Sequence, residues 1–323
     1  MSRLCQVLMS LSCAFALAGG ASAQSYPAKP VRLIVPFAPG GGVDFTSRIL
    51  AQKLSELWSQ QAIVDNRPGA GGIIGTEFAA KAAPDGYTLL MGSIGSISIN
   101  PSLYAKLSYN PERDFAPVTL TGFVPNIVVM HPAVPVRNIA QLIALAKQKR
   151  GLLTFGTGGS GTSNHLSGEL FNSMAGVQIR HIPYKVGAQA TSDLMGGQLD
   201  VMFDNLPTSL PHVRAGKLRG LAVTSASRSS AAPELPTVSE SGLRGYDVTG
   251  WVGVFVPAQT PTEIVSRLHA DIVKVLATPD AKERFLSQGA EAATTTPQQF
   301  AAFVRSEIER WAKVVKMAGI SAQ

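Results

Sequence analysis

The sequence predicts an α/β fold with largely parallel sheets, divided into two lobes. Three observations carry this reading. Short apolar strands alternate with amphipathic helices along the chain. About 300 residues follow a removable leader, enough for two compact units. A glycine-rich loop joins a strand to a helix once in each half, the two loops about 115 residues apart.

Residues 1–23 read as an export signal. Arg3 supplies the positive start, an apolar stretch runs from about Val7 to Ala18, and Ala21-Ser22-Ala23 fits small-x-small cleavage, so the mature chain begins at Gln24. The stretch falls short of the roughly 20 residues that span a bilayer, and Gly19-Gly20 end it. Ser10-Leu11-Ser12 fit a lipoprotein box before Cys13 poorly. Both cysteines, Cys5 and Cys13, lie in the leader. The mature chain therefore excludes a disulfide framework, a thiolate zinc site and a cysteine nucleophile. No other stretch approaches transmembrane length, so a soluble periplasmic protein is expected. Loss of Arg3 lowers the formal net charge from +7 to +6. The basic residues are scattered, which excludes the concentrated face that nucleic acid requires.

The elements follow in order. Val31–Val35 is an apolar strand. The helix of about Asp44–Trp58 presents Ile49, Leu50, Leu54, Leu57 and Trp58 at helical spacing, with Asp44 suited to cap it. Strand Ala62–Asp65, helix Ile73–Ala82 and strand Tyr87–Gly92 repeat the pattern. Strand Asn126–Met130, helix Ile139–Lys149 and strand Leu152–Gly156 come next. Helix Thr162–Met174, strand Gln178–Pro183, helix Ala188–Met195 and strands Leu199–Phe203 and Leu218–Thr224 complete the middle. Helices Pro261–Leu276 and Pro297–Met317 each begin at a Thr-Pro start signal.

The first loop, Pro36 to Asp44, carries Gly40-Gly41-Gly42; the second, Phe155 to His165, carries Gly158-Gly159-Ser160-Gly161. Glycines let several backbone N–H groups converge, and a helix N-terminus adds partial positive charge. Such a place suits a carboxylate or phosphate, and it equally serves as a tight strand-to-helix turn. Ser160, Thr162 and Ser163 add hydroxyls to the second loop. Ser93, in the polar segment Gly92–Pro101, and Asp204, at a strand end, are further cleft candidates. Asp204 could receive an amine or hydroxyl of a ligand, or cap a turn. His165 reads as a helix-start hydrogen-bonding residue before it reads as a base.

Enzyme patterns fail one by one. Neither loop carries the Walker lysine. Gly69-Ala70-Gly71-Gly72-Ile73-Ile74 breaks the dinucleotide fingerprint at Ile74, and no acidic residue ends the next strand. Gly158-Gly159-Ser160-Gly161-Thr162 fails the nucleophile elbow at its last residue. Ser160, His165 and Asp204 form no recognisable triad, since a serine and histidine at one helix start need not face each other. The five histidines show no metal-ligand spacing. No catalytic residue, metal or cofactor is expected.

The segments Tyr26–Phe37, Pro39–Asp44, Val64–Gly72, Asp85–Leu90, Ile182–Lys185, Gly197–Asp200 and Gly216–Thr224 resemble, in the same order, the Bug-type solute-binding proteins, receptors of tripartite tricarboxylate transporters. The resemblance covers essentially the whole mature chain. It implies a two-lobed, type II (Venus-flytrap) periplasmic receptor with a ligand cleft between lobes. Residues 24–125 plus 226–323 would form lobe 1 and residues 126–225 lobe 2, hinged near Val124–Ile127 and Val223–Ser227. It implies capture of a small carboxylate by lobe closure, delivery to integral-membrane transporter subunits, and action as a monomer. Carried over to this chain, the ligand-binding residues are Phe37, Ala38, Gly40, Gly41, Gly42, Asp44 and Ser93, with Ser160, Gly161, Thr162, Ser163 and Asp204 from lobe 2. Two departures from the family pattern fall near the site. Ala38 stands where many relatives have the first of two prolines, and Val186 separates Lys185 from Gly187, where relatives place glycine directly after the lysine.

Overall fold

A computed structural model describes residues 26–320. The export-signal reading of residues 1–23 lies outside the described residues. The strands are β1 (Val31–Val35), β2 (Ala62–Asn66), β3 (Thr88–Ser93), β4 (Phe115–Met130), β5 (Thr154–Thr157), β6 (Arg180–Pro183), β7 (Val201–Asn205), β8 (Arg219–Val223), β9 (Thr249–Pro257) and β10 (Glu291–Ala292). The main helices are α1 (Gly42–Trp58), α2 (Ile73–Ala80), α3 (Ile139–Gln148), α4 (Ser163–Ala175), α5 (Gly187–Met195), α6 (Leu206–Arg214), α7 (Thr262–Leu276), α8 (Pro279–Ser287) and α9 (Pro297–Met317).

The strands run in the order β2-β1-β3-β9-β4-β7-β5-β6, with β8 and β10 also on β4. The 16-residue β4 serves two sheets. Its residues Phe115–Pro125 pair with β9, and Asn126–Met130 pair with β7 and β8. Among the named strands, parallel pairing joins β1 to β2 and β3, and β5 to β6 and β7. The expectation of largely parallel sheets is thus corrected to mixed ones. The chain crosses from one sheet to the other along β4 and re-enters the first sheet at β9, which runs antiparallel beside the first part of β4.

Hydrophobic periodicity explains how the helices dock. Leu50, Leu54 and Trp58 of α1 are buried against Leu33 and Val35 of β1. Burying each such leucine or valine contributes roughly 1.5–3 kcal/mol. In the second sheet, Ile127 and Met202 pack with Leu206 and Leu210 of α6. A further cluster runs between the sheets and joins Ile34 and Leu90 to Val128 and Phe155.

Residues 226–248, assigned to the first lobe by sequence, make contacts with the second sheet. Val238 N donates to Val223 O at 2.9 Å, Val248 N to Thr224 O at 2.9 Å, and Tyr246 OH to Ser167 O at 2.8 Å. Four of these elements escaped the sequence reading: β9, α6, α8 and β10.

Candidate functional site

The loops after β1, β3, β5, β6 and β7 converge on one cleft of about 760 Å³. Five helices begin on its walls: α1 after Gly41, α2 after Gly72, α4 after Thr162, α5 after Val186 and α6 after Asn205. Of these N-caps only Thr162 caps its own helix through its side chain, accepting from His165 N. Each helix start is equivalent to roughly half a positive charge. Their convergence makes the cleft attractive to an anion although few cationic side chains line it.

The first loop is shaped by Asp44. Its Oδ2 accepts from Gly40 N at 3.0 Å and from Arg48 Nε at 2.9 Å, and its Oδ1 accepts from Asn66 Nδ2 at 2.9 Å. Burial opposes ionisation of this carboxyl, and the donors Arg48, Gly40 and Asn66 outweigh it, so its pKa lies below the usual carboxylate value. Gly40 itself has φ +89°, a left-handed conformation that glycine adopts without strain. On the far wall, Asn205 Oδ1 accepts from Gly42 N at 3.3 Å, and Thr208 Oγ1 lies 3.5 Å from Gly40 O.

The second loop is braced in the same way. Thr157 Oγ1 accepts from Gly159 N at 3.2 Å, Thr162 Oγ1 donates to Gly159 O at 2.8 Å, and Gly161 N donates to His165 Nδ1 at 3.3 Å. This loop lies directly against the segment after β2. A Cβ on Gly71 would come within 2.4 Å of Ser160 O, and one on Gly161 within 2.5 Å of Asn100 Oδ1. The two sides of the cleft therefore touch at both ends.

Of the residues expected at the ligand, Phe37, Ala38, Gly40, Gly41, Gly42, Ser93, Ser160, Thr162, Ser163 and Asp204 line the cleft. Asp44 and Gly161 do not. The Asp44 carboxylate is turned into the loop's own hydrogen bonds and is 2% exposed. Gly161 faces Asn100, Leu103 and Tyr104 instead of the cavity. Both residues position the loops. Tyr104, Lys185, Asn205, Thr208 and Trp251 also line the cleft and were not among the residues expected to bind the ligand. The run Asn205-Leu206-Pro207 carried a usable signal, an N-cap residue followed by proline in the first turn.

Asp204, expected either to meet a ligand or to cap a turn, forms hydrogen bonds within its own wall of the cleft. Its Oδ1 accepts from Asn164 Nδ2 at 3.2 Å; its Oδ2 accepts from Ser209 Oγ at 2.7 Å and Thr191 Oγ1 at 3.5 Å. Burial pushes its pKa up to about 6 against the opposing pull of these donors. His165 stacks on His181 with ring centroids 4.1 Å apart, and burial lowers its pKa to about 4. Its Nδ1 is engaged by the Gly161 amide, so Ser160, His165 and Asp204 do not form a relay. Among the described residues no group of three or more His, Cys, Asp or Glu side chains is arranged to hold a metal ion.

The chain is similar to known proteins of one family. The family model described as tripartite tricarboxylate transporter family receptor matches residues 46–320. The protein BugT of Bordetella pertussis is 38% identical over 320 residues, covering 99% of this chain and 98% of its own. The structure of R. palustris Rpa4515 with adipate superposes with a TM-score of 0.89 at 39% identity, covering 92% of this chain and 99% of that one. MatC of Rhodopseudomonas palustris, solved with bound malate, gives a TM-score of 0.84 at 31% identity, covering 90% of this chain and 100% of that one.

Proposed function

The chain belongs to the family of tripartite tricarboxylate transporter receptors, and from that premise we propose that it captures a small carboxylate-bearing solute in the periplasm by lobe closure. The acid is released unchanged to integral-membrane transporter subunits, and the receptor acts as a monomer. One lobe comprises the first sheet with residues up to Pro125 and from Thr249 onward; the other comprises the residues between. The placing of the return crossing at Thr249 instead of near Ser227 is supported by the hydrogen bonds of Val238, Tyr246 and Val248.

The observation that carries the reading is the convergence of five helix N-termini on one cleft. A carboxylate there meets oriented backbone donors and positive dipole ends. Each charge-assisted hydrogen bond contributes about 1.5–3 kcal/mol, so three or four reach the roughly 8 kcal/mol of micromolar binding before ordering costs. The acids named with the two solved relatives, adipate and malate, are of the same chemical class.

A thermal-shift screen of the refolded mature protein against small carboxylic acids and their amides tests the proposal. Stabilisation by acids, rising with concentration, and none by amides is the expected result. Gly41→Glu provides the matching control. A Cβ at Gly41 meets nothing closer than Asn205 Oδ1 at 3.9 Å, so the variant should fold, while its carboxylate repels the ligand. A Gly41→Glu protein that binds acids as tightly as the parent would remove the first loop from the site.

A further inference from the structure

We infer that Lys185 receives a second anionic group of the ligand, so that this receptor selects acids charged at both ends. The inference rests on the carboxylate reading above and assigns a residue to the opposite end of the cleft.

Among the described residues that line the cleft, Lys185 and Asp204 are the only lysine, arginine, histidine or acidic side chains. Asp204 is already enclosed by Asn164, Thr191 and Ser209. Lys185 is different. It is exposed at the cleft and makes neither an ion pair nor a side-chain hydrogen bond with any described residue. Other exposed lysines, such as Lys147 and Lys274, also lack a carboxylate partner, but they lie outside the cleft. The neighbouring Tyr184 OH instead donates to Asp193 Oδ2 at 2.7 Å, so the obvious local carboxylate is engaged elsewhere.

The fold sets Lys185 apart from the first glycine loop. In the second sheet the order outward from β4 is β7, β5, β6. Asn205, which touches Gly42, ends β7, while Lys185 follows β6, the outermost strand. Two inter-strand steps of about 4.8 Å separate them by roughly 10 Å. A ligand whose first carboxylate lies at the Gly40–Gly42 helix start thus extends toward Lys185. The long side chain can reach back, and its ammonium offers three donors. The uncapped start of α5, one residue beyond at Val186, reinforces the positive field at the same end. An acid with only one charged end leaves this cation without a partner.

Calorimetric titration with succinate, glutarate and adipate, each beside its one-ended partner butyrate, valerate or hexanoate, tests the assignment. The native protein should favour the two-ended acids. Lys185→Gln should weaken the best of them by about five- to tenfold, as expected for a partly exposed charge-assisted contact, and leave the one-ended partner unchanged. Lys185→Arg should retain the preference, and added salt should erode it in the native and Lys185→Arg proteins but not in Lys185→Gln. Equal losses for both kinds of acid, or none for either, would overturn the role of Lys185 while leaving carboxylate capture intact. Failure of every acid to bind the native protein would overturn both.

Discussion

The side-chain carbonyl of Asn205 accepts the Gly42 amide at 3.3 Å, while its Nδ2 donates to Asn126 Oδ1 at 2.7 Å. One amide side chain thereby joins the end of β7 to the start of α1 and to the strand that crosses between the sheets. In Asn205→Ala both bonds are lost at a half-buried site. Ligand affinity should fall about tenfold with little change in the melting of the empty protein. Calorimetric titration beside a thermal melt separates the two effects. A large stability loss with unchanged affinity would make Asn205 a purely structural residue.

Gly161 adopts φ +83°, and a Cβ there would sit 2.5 Å from Asn100 Oδ1. Gly161→Ala should therefore hinder the approach of the two cleft walls. The backbone strain is about 1–2 kcal/mol, and acid binding should weaken by at least about tenfold. Small-angle scattering with saturating acid checks this, because the variant should not contract as the native protein does. Equal contraction in both would show that Asn100 yields easily.

Burial raises the Asp204 carboxyl from 3.8 to about 6. Between those values the folded protein holds this proton more tightly than the unfolded chain. The contribution of Asp204 to stability is therefore greatest below about 4 and declines as pH rises towards 6, by roughly 3 kcal/mol in all. Denaturant melts at steps from pH 4 to 7 should show this slope in the native protein and a flatter one in Asp204→Asn. Superimposable profiles would mean that the surrounding donors stabilise the carboxylate as well as water does.

Asp44 behaves in the opposite sense. Its lowered pKa contributes stability above the unfolded value of 3.8, which is lost as pH falls through the folded value. Asp44→Ala leaves the Gly40 amide and Asn66 Nδ2 without their acceptor. It should cost about 1–3 kcal/mol and also weaken acid binding, because the loop loses its brace. A variant that melts early yet binds with native affinity would divorce the brace from the site.

Local signals made some of this molecule legible. Strand β1 and helix α9 are read from sequence to the residue, since Val31–Val35 is an unbroken apolar run and Thr296-Pro297 starts a helix with a capping box to Gln299. The glycine loops were equally visible. The crossing strands were not. Pro117 and Pro125 lie inside β4, and proline demotes a strand in any local reading; the pairing with β9 absorbs the irregularity through register shifts next to Pro117 and before Gly122. Helix α6 contains Pro207 and Pro211 and was passed over for the same reason. At the site, glycine-rich backbone announced itself, while Asn205, Lys185 and Trp251 reach the cleft only through tertiary packing. Asp44, expected from sequence to cap its helix and to meet the ligand, instead stands inside the first turn behind the N-cap Gly41, and its carboxylate is turned into its own loop by Asn66 and Arg48, which meet it from another strand and the next turn of the helix.

Because β4 is one unbroken strand with its first eleven residues in one sheet and its last five in the other, neither sheet is a module that evolution or an experimenter can lift out whole. Removing Phe115–Pro125 would strip β9 of one partner, and removing Asn126–Met130 would do the same to β7 and β8. Neither sheet should fold without the other, and the intact chain should denature as a single cooperative unit.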